Sequence, residues 1–285
     1  MQEQQRQDKK YLFRCKTTEA YVIKILIDLL HNLLKTACFE ITPEGIFLRM
    51  MDANKHTLFD IFLDSAKFNV FSFSPSIPLG VINFGINLQY FYKMIRSIKK
   101  QDQIVFFIEE SKQHELGIEV IPKHLFRITT SFIKIQNIQN LGIELPEEGY
   151  ERAKPVLVSS SEFIKMWKDI FHMSDVVHVC SYQFSILFYC IMGSVYSKYV
   201  LLGEPKEEEQ KTKSCLFEAS FLEEHEETFD TEELLRISKV SGLSPTMNIT
   251  CIKDCPLKIQ TQIGNLGRLR IYIKNRNQTQ NDERN

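Results

Sequence analysis

Glycine and proline are scarce, 11 and 9 of 285 residues, which excludes a collagenous or low-complexity chain. No CxxC pair occurs. The cysteines, Cys15, Cys38, Cys180, Cys190, Cys215, Cys251 and Cys255, are odd in number, so disulfides cannot pair them all and a reducing, intracellular compartment is expected. Neither sign of charge is in excess. With 35 Lys and Arg against 36 Asp and Glu, bulk positive charge is excluded as a grip on nucleic acid, and only a local basic face remains open. The opening MQEQQRQDKK lacks an apolar stretch and reads as a solvated tail, not a secretory signal. The longest run free of Asp, Glu, Lys and Arg, Val176 to Ser197, is about long enough to span a bilayer. His178, Ser181, Gln183 and Ser185 interrupt it, and its β-rich pieces read as buried strands, so no membrane contact is expected.

What is present is an ordinary globular composition, 44% hydrophobic, with chain enough for two medium domains. Apolar residues Val22, Ile23, Leu26, Leu29, Leu30, Leu33 and Leu34 recur at helical steps and predict a helix over Glu19 to Lys35. Short alternating runs on either side of Thr42-Pro43-Glu44-Gly45 predict a hairpin. A second helix is predicted over Leu88 to Lys100, followed by strands and a Gly- and Pro-bearing connector between Asn137 and Pro155. The programme then restarts, with a helix from Ser159-Ser160-Ser161 to Met173, a β-rich region to Leu202, a helix over Thr231 to Val240, and terminal strands. The order helix, strands, helix, strands thus occurs twice in an α+β chain.

The polar faces of these helices carry the readable chemistry. Lys93, Arg96 and Lys100 lie three and four positions apart, Lys99 is adjacent, and no acid falls between Leu88 and Lys100. Lys165 with Lys168, and Arg236 with Lys239, repeat the three-residue step. The first helix offers Lys24, His31 and Lys35, weakened by Asp28. Acid concentrates in Glu207-Glu208-Glu209 and between Glu223 and Glu233, a solvated stretch by its composition. Catalytic signatures are missing: Gly264-Asn265-Leu266-Gly267 lacks the lysine of a phosphate loop, and no GxSxG or HExxH segment occurs. Cys251 and Cys255, or His172, His178 and Cys180, find no second spaced pair to complete a zinc site. No catalytic residue, metal or cofactor is expected.

Ala37-Cys38-Phe39-Glu40-Ile41, then Gly45, Leu48 and Met51-Asp52-Ala53-Asn54, resemble the proliferating cell nuclear antigen family of sliding clamps. Asn140-Leu141-Gly142-Ile143 resembles that family's interdomain connector, and Lys165-Met166-Trp167-Lys168-Asp169-Ile170 its third helix. Asp254-Cys255-Pro256-Leu257 and Leu266-Gly267-Arg268-Leu269-Arg270-Ile271-Tyr272 resemble its C-terminal strands. The match runs in order from Tyr11 to Lys274, with weak correspondence at 68–80 and 204–228.

The resemblance implies two similar domains of the DNA-clamp type, with antiparallel sheets outside and two helices per domain lining a ring. It places a polar tail at 1–10, clamp domains at 11–134 and 156–274, a connector at 135–155 and a second polar tail at 275–285. Three copies would join head to tail through edges near Leu125 to Ser131 and Ser194 to Leu201. They would encircle double-stranded DNA without sequence specificity, through Lys24, His31, Lys35, Lys93, Arg96, Lys99, Lys100, Lys165, Lys168, Arg236 and Lys239. A separate clamp loader would load the ring, which would dock DNA polymerase, flap nuclease or ligase in the nucleus or at a cytoplasmic viral replication site. Client motifs would plug a groove lined by Met51, His56, Leu58, Leu141, Ile143, Pro256 and Tyr272. His56 stands where the family has a small aliphatic residue, and Lys274-Asn275-Arg276 departs from its tail. The alternative is a clamp-like subunit of a heteromeric checkpoint ring, or a clamp-fold transcription or accessory factor.

Overall fold

A computed structural model describes residues 10–123, 127–136, 138, 142–150, 153–182, 184–204 and 226–284. The chain divides into two compact units, one drawn from Met1–Met50, Asp60–Ile143 and Gln262–Leu269, the other from Met51–Phe59, Glu144–Thr261 and Arg270–Asn285.

In unit one, β1 (Tyr11–Thr17) leads into α1 (Ala20–His31), which buries Ile23, Leu26, Ile27, Leu29 and Leu30 along one stripe, as its period requires. Then come β2 (Thr36–Thr42), β3 (Gly45–Met51), β4 (Thr57–Asp64), β5 (Val70–Phe73) and β6 (Ile82–Asn87). The predicted hairpin is there, with Ile41 opposite Ile46 and Thr42 opposite Gly45. Asn87 caps α2 (Leu88–Ile95), its Oδ1 accepting the Tyr90 amide at 3.1 Å. That helix stops short of the expected Lys100. Asp102 Oδ2 accepts the Lys99 amide at 2.8 Å, and Ile98 is buried from a turn instead. β7 (Gln103–Glu109), β8 (Glu115–Ile121) and β9 (Thr129–Lys134) complete a five-stranded sheet ordered β5-β1-β7-β8-β9, while β4-β3-β2-β6 run side by side.

Unit two repeats the wiring. β10 (Val156–Ser159) leads into α3 (Ser160–Phe171), which buries Phe163, Met166, Trp167 and Ile170. The only tryptophan, Trp167, is fully buried and meets Phe163 and Phe188 edge-on at 5.6 Å each. The former membrane candidate is β11 (Val176–Ser181), β12 (Ser185–Met192) and the start of β13 (Tyr196–Gly203). β14 (Glu226–Asp230) precedes α4 (Thr231–Arg236), and a 3-10 turn at Ser238–Gly242 takes the place of that helix's expected second half. β15 (Thr246–Thr250), β16 (Leu257–Ile263) and β17 (Gly267–Ile273) follow. The sheet orders are β13-β12-β11-β14 and β10-β15-β16-β17.

The duplication lies in the pairing. In unit one, β2 pairs antiparallel with β3 and β6, and β1 with β7; in unit two, β11 pairs antiparallel with β12 and β14, and β10 with β15. The segment 275–285, expected as a polar tail, contains α5 (Arg276–Arg284), because Asn275 is buried and hydrogen-bonded. Among the described residues no helix is long and apolar enough to cross a membrane.

Within unit one, which takes in the start of β17, Gly267 lies as close to Phe62 as backbone can come: a Cβ on it would lie 1.9 Å from the Phe62 carbonyl oxygen and 2.9 Å from Leu63 Cα. Neither atom belongs to a flexible side-chain end. Gly267→Ala is expected to cost about 1–3 kcal/mol of stability, read as a lowered urea midpoint with an unchanged slope.

Candidate functional site

In unit one, α1 and α2 pack together; Lys24, His31 and Lys93 lie on them, and Lys35, Arg96, Lys99 and Lys100 on the segments that follow them. Lys24 is half-buried; its Nζ donates to the Ile98 carbonyl at 3.0 Å and lies 5.5 Å from the centre of the Tyr21 ring. Lys100, arriving from beyond α2, sits over the same ring at 5.9 Å, so one tyrosine gathers ammonium groups from two segments. Lys93 lies over exposed Tyr90 at 5.5 Å. His31 stacks on Tyr92 at 4.2 Å, and its Nδ1 lies 2.8 Å from the Asp28 carbonyl oxygen, so its ring is held as much as displayed. Lys35, Lys93, Arg96, Lys99 and Lys100 are exposed, and none forms an ion pair with a described acid.

In unit two, Lys165 and Lys168 lie on α3, Arg236 on the α4 packed against it and Lys239 on the 3-10 turn that follows, with a different charge balance. Lys165 pairs with Glu162 at 2.7 Å, and Arg236 with Glu232 and Glu233 at 3.3 Å each. Lys168 and Lys239 are exposed. The acids in the first turn of α4 thus lie directly on its arginine.

Of the expected groove residues, Met51, His56, Leu58, Pro256 and Tyr272 belong to unit two and Ile143 to unit one; Leu141 lies outside the described residues. Leu58 and Tyr272 are 5% and 1% exposed, a floor and not an open wall. The sequence reading missed what covers the tyrosine. Tyr150 meets its ring edge-on at 6.0 Å, Lys258 lies over both rings, and Glu147 joins Arg270 at 2.7 Å, Lys258 at 3.5 Å and the Tyr272 hydroxyl at 3.3 Å. Tyr150 and Glu147 lie far from Tyr272 in sequence, so no local signal pointed to them. In unit one, Arg49 pairs with Asp60 at 2.9 Å and donates to the Ile143 carbonyl at 3.1 Å, fixing that residue.

Cysteine chemistry fares poorly on burial. Desolvation is the first cause pushing up the thiols of Cys15, Cys38, Cys180, Cys190, Cys251 and Cys255, Cys180 to about 12, so thiolate is disfavoured near neutrality. Cys215 lies outside the described residues. No group of three His, Cys, Asp or Glu among the described residues could hold a metal ion.

Duplicated α+β units, each carrying its cations on a packed helix pair beside antiparallel sheets, define a clamp-like architecture. The family comparisons narrow this. Residues 12–140 match the model of the proliferating cell nuclear antigen N-terminal domain, and residues 144–276 that of its C-terminal domain. The chain belongs to the proliferating cell nuclear antigen family. It is 24% identical over 262 residues to the proliferating cell nuclear antigen of Chaetomium thermophilum, spanning 92% of this chain and 97% of that protein. It is 23% identical over 271 residues to a probable DNA polymerase sliding clamp of Paramecium bursaria Chlorella virus 1, spanning 93% and 97%.

His56 is presented by a turn built on Asp52. That buried carboxylate accepts the His56 amide at 2.8 Å and the Thr57 amide at 2.9 Å through Oδ1. Asp52→Ala leaves both donors unmatched and is expected to cost about 1.5–3 kcal/mol, measured by urea unfolding. Asp52→Asn, which keeps an acceptor oxygen, is expected to lose less.

Proposed function

We propose that this chain is a DNA sliding clamp, a non-catalytic ring that encircles duplex DNA and docks replication and repair proteins. The observation that carries the reading is the unit-one helix pair with the segments that follow each helix, where exposed Lys35, Lys93, Arg96, Lys99 and Lys100 form no ion pair with a described acid. Phosphate contacts of this kind orient a duplex without reading sequence, and closure of a ring, not affinity, retains it. The names of the relatives from Chaetomium and the Chlorella virus support the same reading. Lys24 and His31 complete the proposed face in unit one, and Lys165, Lys168, Arg236 and Lys239 supply it in unit two. The domains are taken as 11–134 and 156–274, joined by 135–155.

Assembly would use strand edges. β9 ends the five-stranded sheet of unit one and β13 ends a sheet of unit two. Exposed Ile128 and Phe132 accompany the first; exposed Ile191, Met192 and Val195 accompany the second. Three copies joined head to tail through these edges would close a homotrimer. Clients, among them a DNA polymerase, would dock at the surface of Met51, His56, Leu58, Leu141, Ile143, Pro256 and Tyr272. A loader would open the ring at nuclear or viral replication sites.

Three measurements test this. Light scattering at micromolar concentration is expected to show a trimer, and Phe132→Glu or Val195→Glu to shift it to monomer; a monodisperse monomer of the unaltered chain overturns the ring. The ring is expected to stay on closed circular DNA and run off after linearisation. Replacing Lys93, Arg96 and Lys100 together by alanine is expected to flatten the plot of log affinity against log salt by about 0.9 for each cation that meets a phosphate. Lys165→Ala, whose charge Glu162 already balances, is expected to change it little.

A further inference from the structure

Helix α5 contains no apolar side chain in its sequence RNQTQNDER, so hydrophobic burial does not hold it in place. A polar latch does. Asn275, 1% exposed, donates from Nδ2 to Glu227 Oε2 at 2.7 Å, and Glu227 Oε1 accepts the Asp254 amide at 2.6 Å. Asn275 and Gln278 close a reciprocal capping box: Asn275 Oδ1 accepts the Gln278 amide at 2.8 Å, and Gln278 Oε1 accepts the Asn275 amide at 3.0 Å. Gln278 Nε2 also donates to the Asp254 carbonyl at 2.9 Å, and Arg276 pairs with Asp230 at 3.2 Å.

These contacts, all within unit two, seat α5 on the Asp254 loop and on β14, and the strand end that leads into the helix lies beside a second loop. One loop carries Asp254 and, two positions on, Pro256. The other carries His56, whose carbonyl accepts the Lys274 amide at 2.9 Å. At the far end of the helix, the Asp282 carboxyl is held below its ordinary range, first by its bond to Lys274 and then by the nearby charges of His56 and Lys55. His56 and Pro256 are both residues of the proposed client surface.

We propose that α5 is a detachable cover over its own chain's client-peptide site, docked on the loops that carry His56 and Pro256 and displaced when a peptide binds there. This rests on the client-surface reading above. A helix of nine residues is too short to persist once undocked, and the hydrogen bonds and ion pair described for it are polar contacts that water can replace. The fraction of time it spends docked then subtracts directly from apparent client affinity.

The test is fluorescence anisotropy of a fluorescein-labelled peptide carrying an aliphatic and an aromatic side chain on one helical turn. It is titrated with the full chain, with a chain ending at Lys274, and with Asn275→Ala. Both variants are expected to bind about fivefold tighter or more. Equal affinity for all three overturns the cover and leaves the client surface standing. Weaker binding to the variants makes α5 part of the receptor and overturns it too, while no binding to any form sinks cover and surface together. Should the shortened chain lose cooperative unfolding, hydrogen exchange on the full chain decides. Peptide must speed exchange of the α5 amides, and unchanged exchange overturns the proposal.

Discussion

Backbone hydrogen bonding at the edges of its sheets constrains this molecule more than any side chain does. A strand inside a sheet satisfies its amides and carbonyls on both sides; an edge strand leaves one row open, and proteins ordinarily blunt such rows with proline, bulges or short length. β13 does none of these. It is eight residues long, holds unbroken register with β12 from Ser185 opposite Gly203 to Met192 opposite Tyr196, and contains no proline. β9 is likewise free of proline and keeps register with β8 from Glu115 opposite Lys134 to Val120 opposite Thr129. Edges this regular are templates for another strand. Were these two different edges to pair between copies, the interface would be head-to-tail, which either closes as a ring or grows without limit.

Where the sequence was legible, the signal was periodic and the cause local. α1 and α3 announce themselves because their apolar residues must form a stripe, and the Thr42 to Gly45 turn because a hairpin needs one. Repetition showed as recurring order and not as repeated residues, since pairing constrains the alternation of side chains and not their identity. Other features were hidden because their partners are distant in sequence. Nothing near Tyr272 foretells that Glu147 and Tyr150 shield it, and nothing near Asn275 foretells Glu227. The early end of α2 was hidden by composition: Lys99 and Lys100 favour a helix, yet the Asp102 side chain captures the Lys99 amide and turns the chain. The start of α5 could have been found. Asn275 followed three positions later by Gln278 is a capping signature, overlooked because no apolar run follows it.

Charge placement bears on motion as well as grip. The chain as a whole is nearly neutral, with 35 basic and 36 acidic residues, so a duplex gains nothing from its net charge and meets only local fields. In unit one those fields come from cations without described acidic partners; in unit two Glu162, Glu232 and Glu233 already neutralise Lys165 and Arg236. For a protein that only had to bind tightly, such neutralisation would be waste. For one held by encirclement it is an advantage, because each fixed ion contact with a phosphate must break before the ring advances, and deep contacts slow every step. Salt-sensitive lysines that exchange readily between neighbouring phosphates keep the energy profile shallow along the duplex. In the proposed ring, retention would fall to the strand edges that close it and mobility to the helices, so the two demands would be met by different parts of the fold.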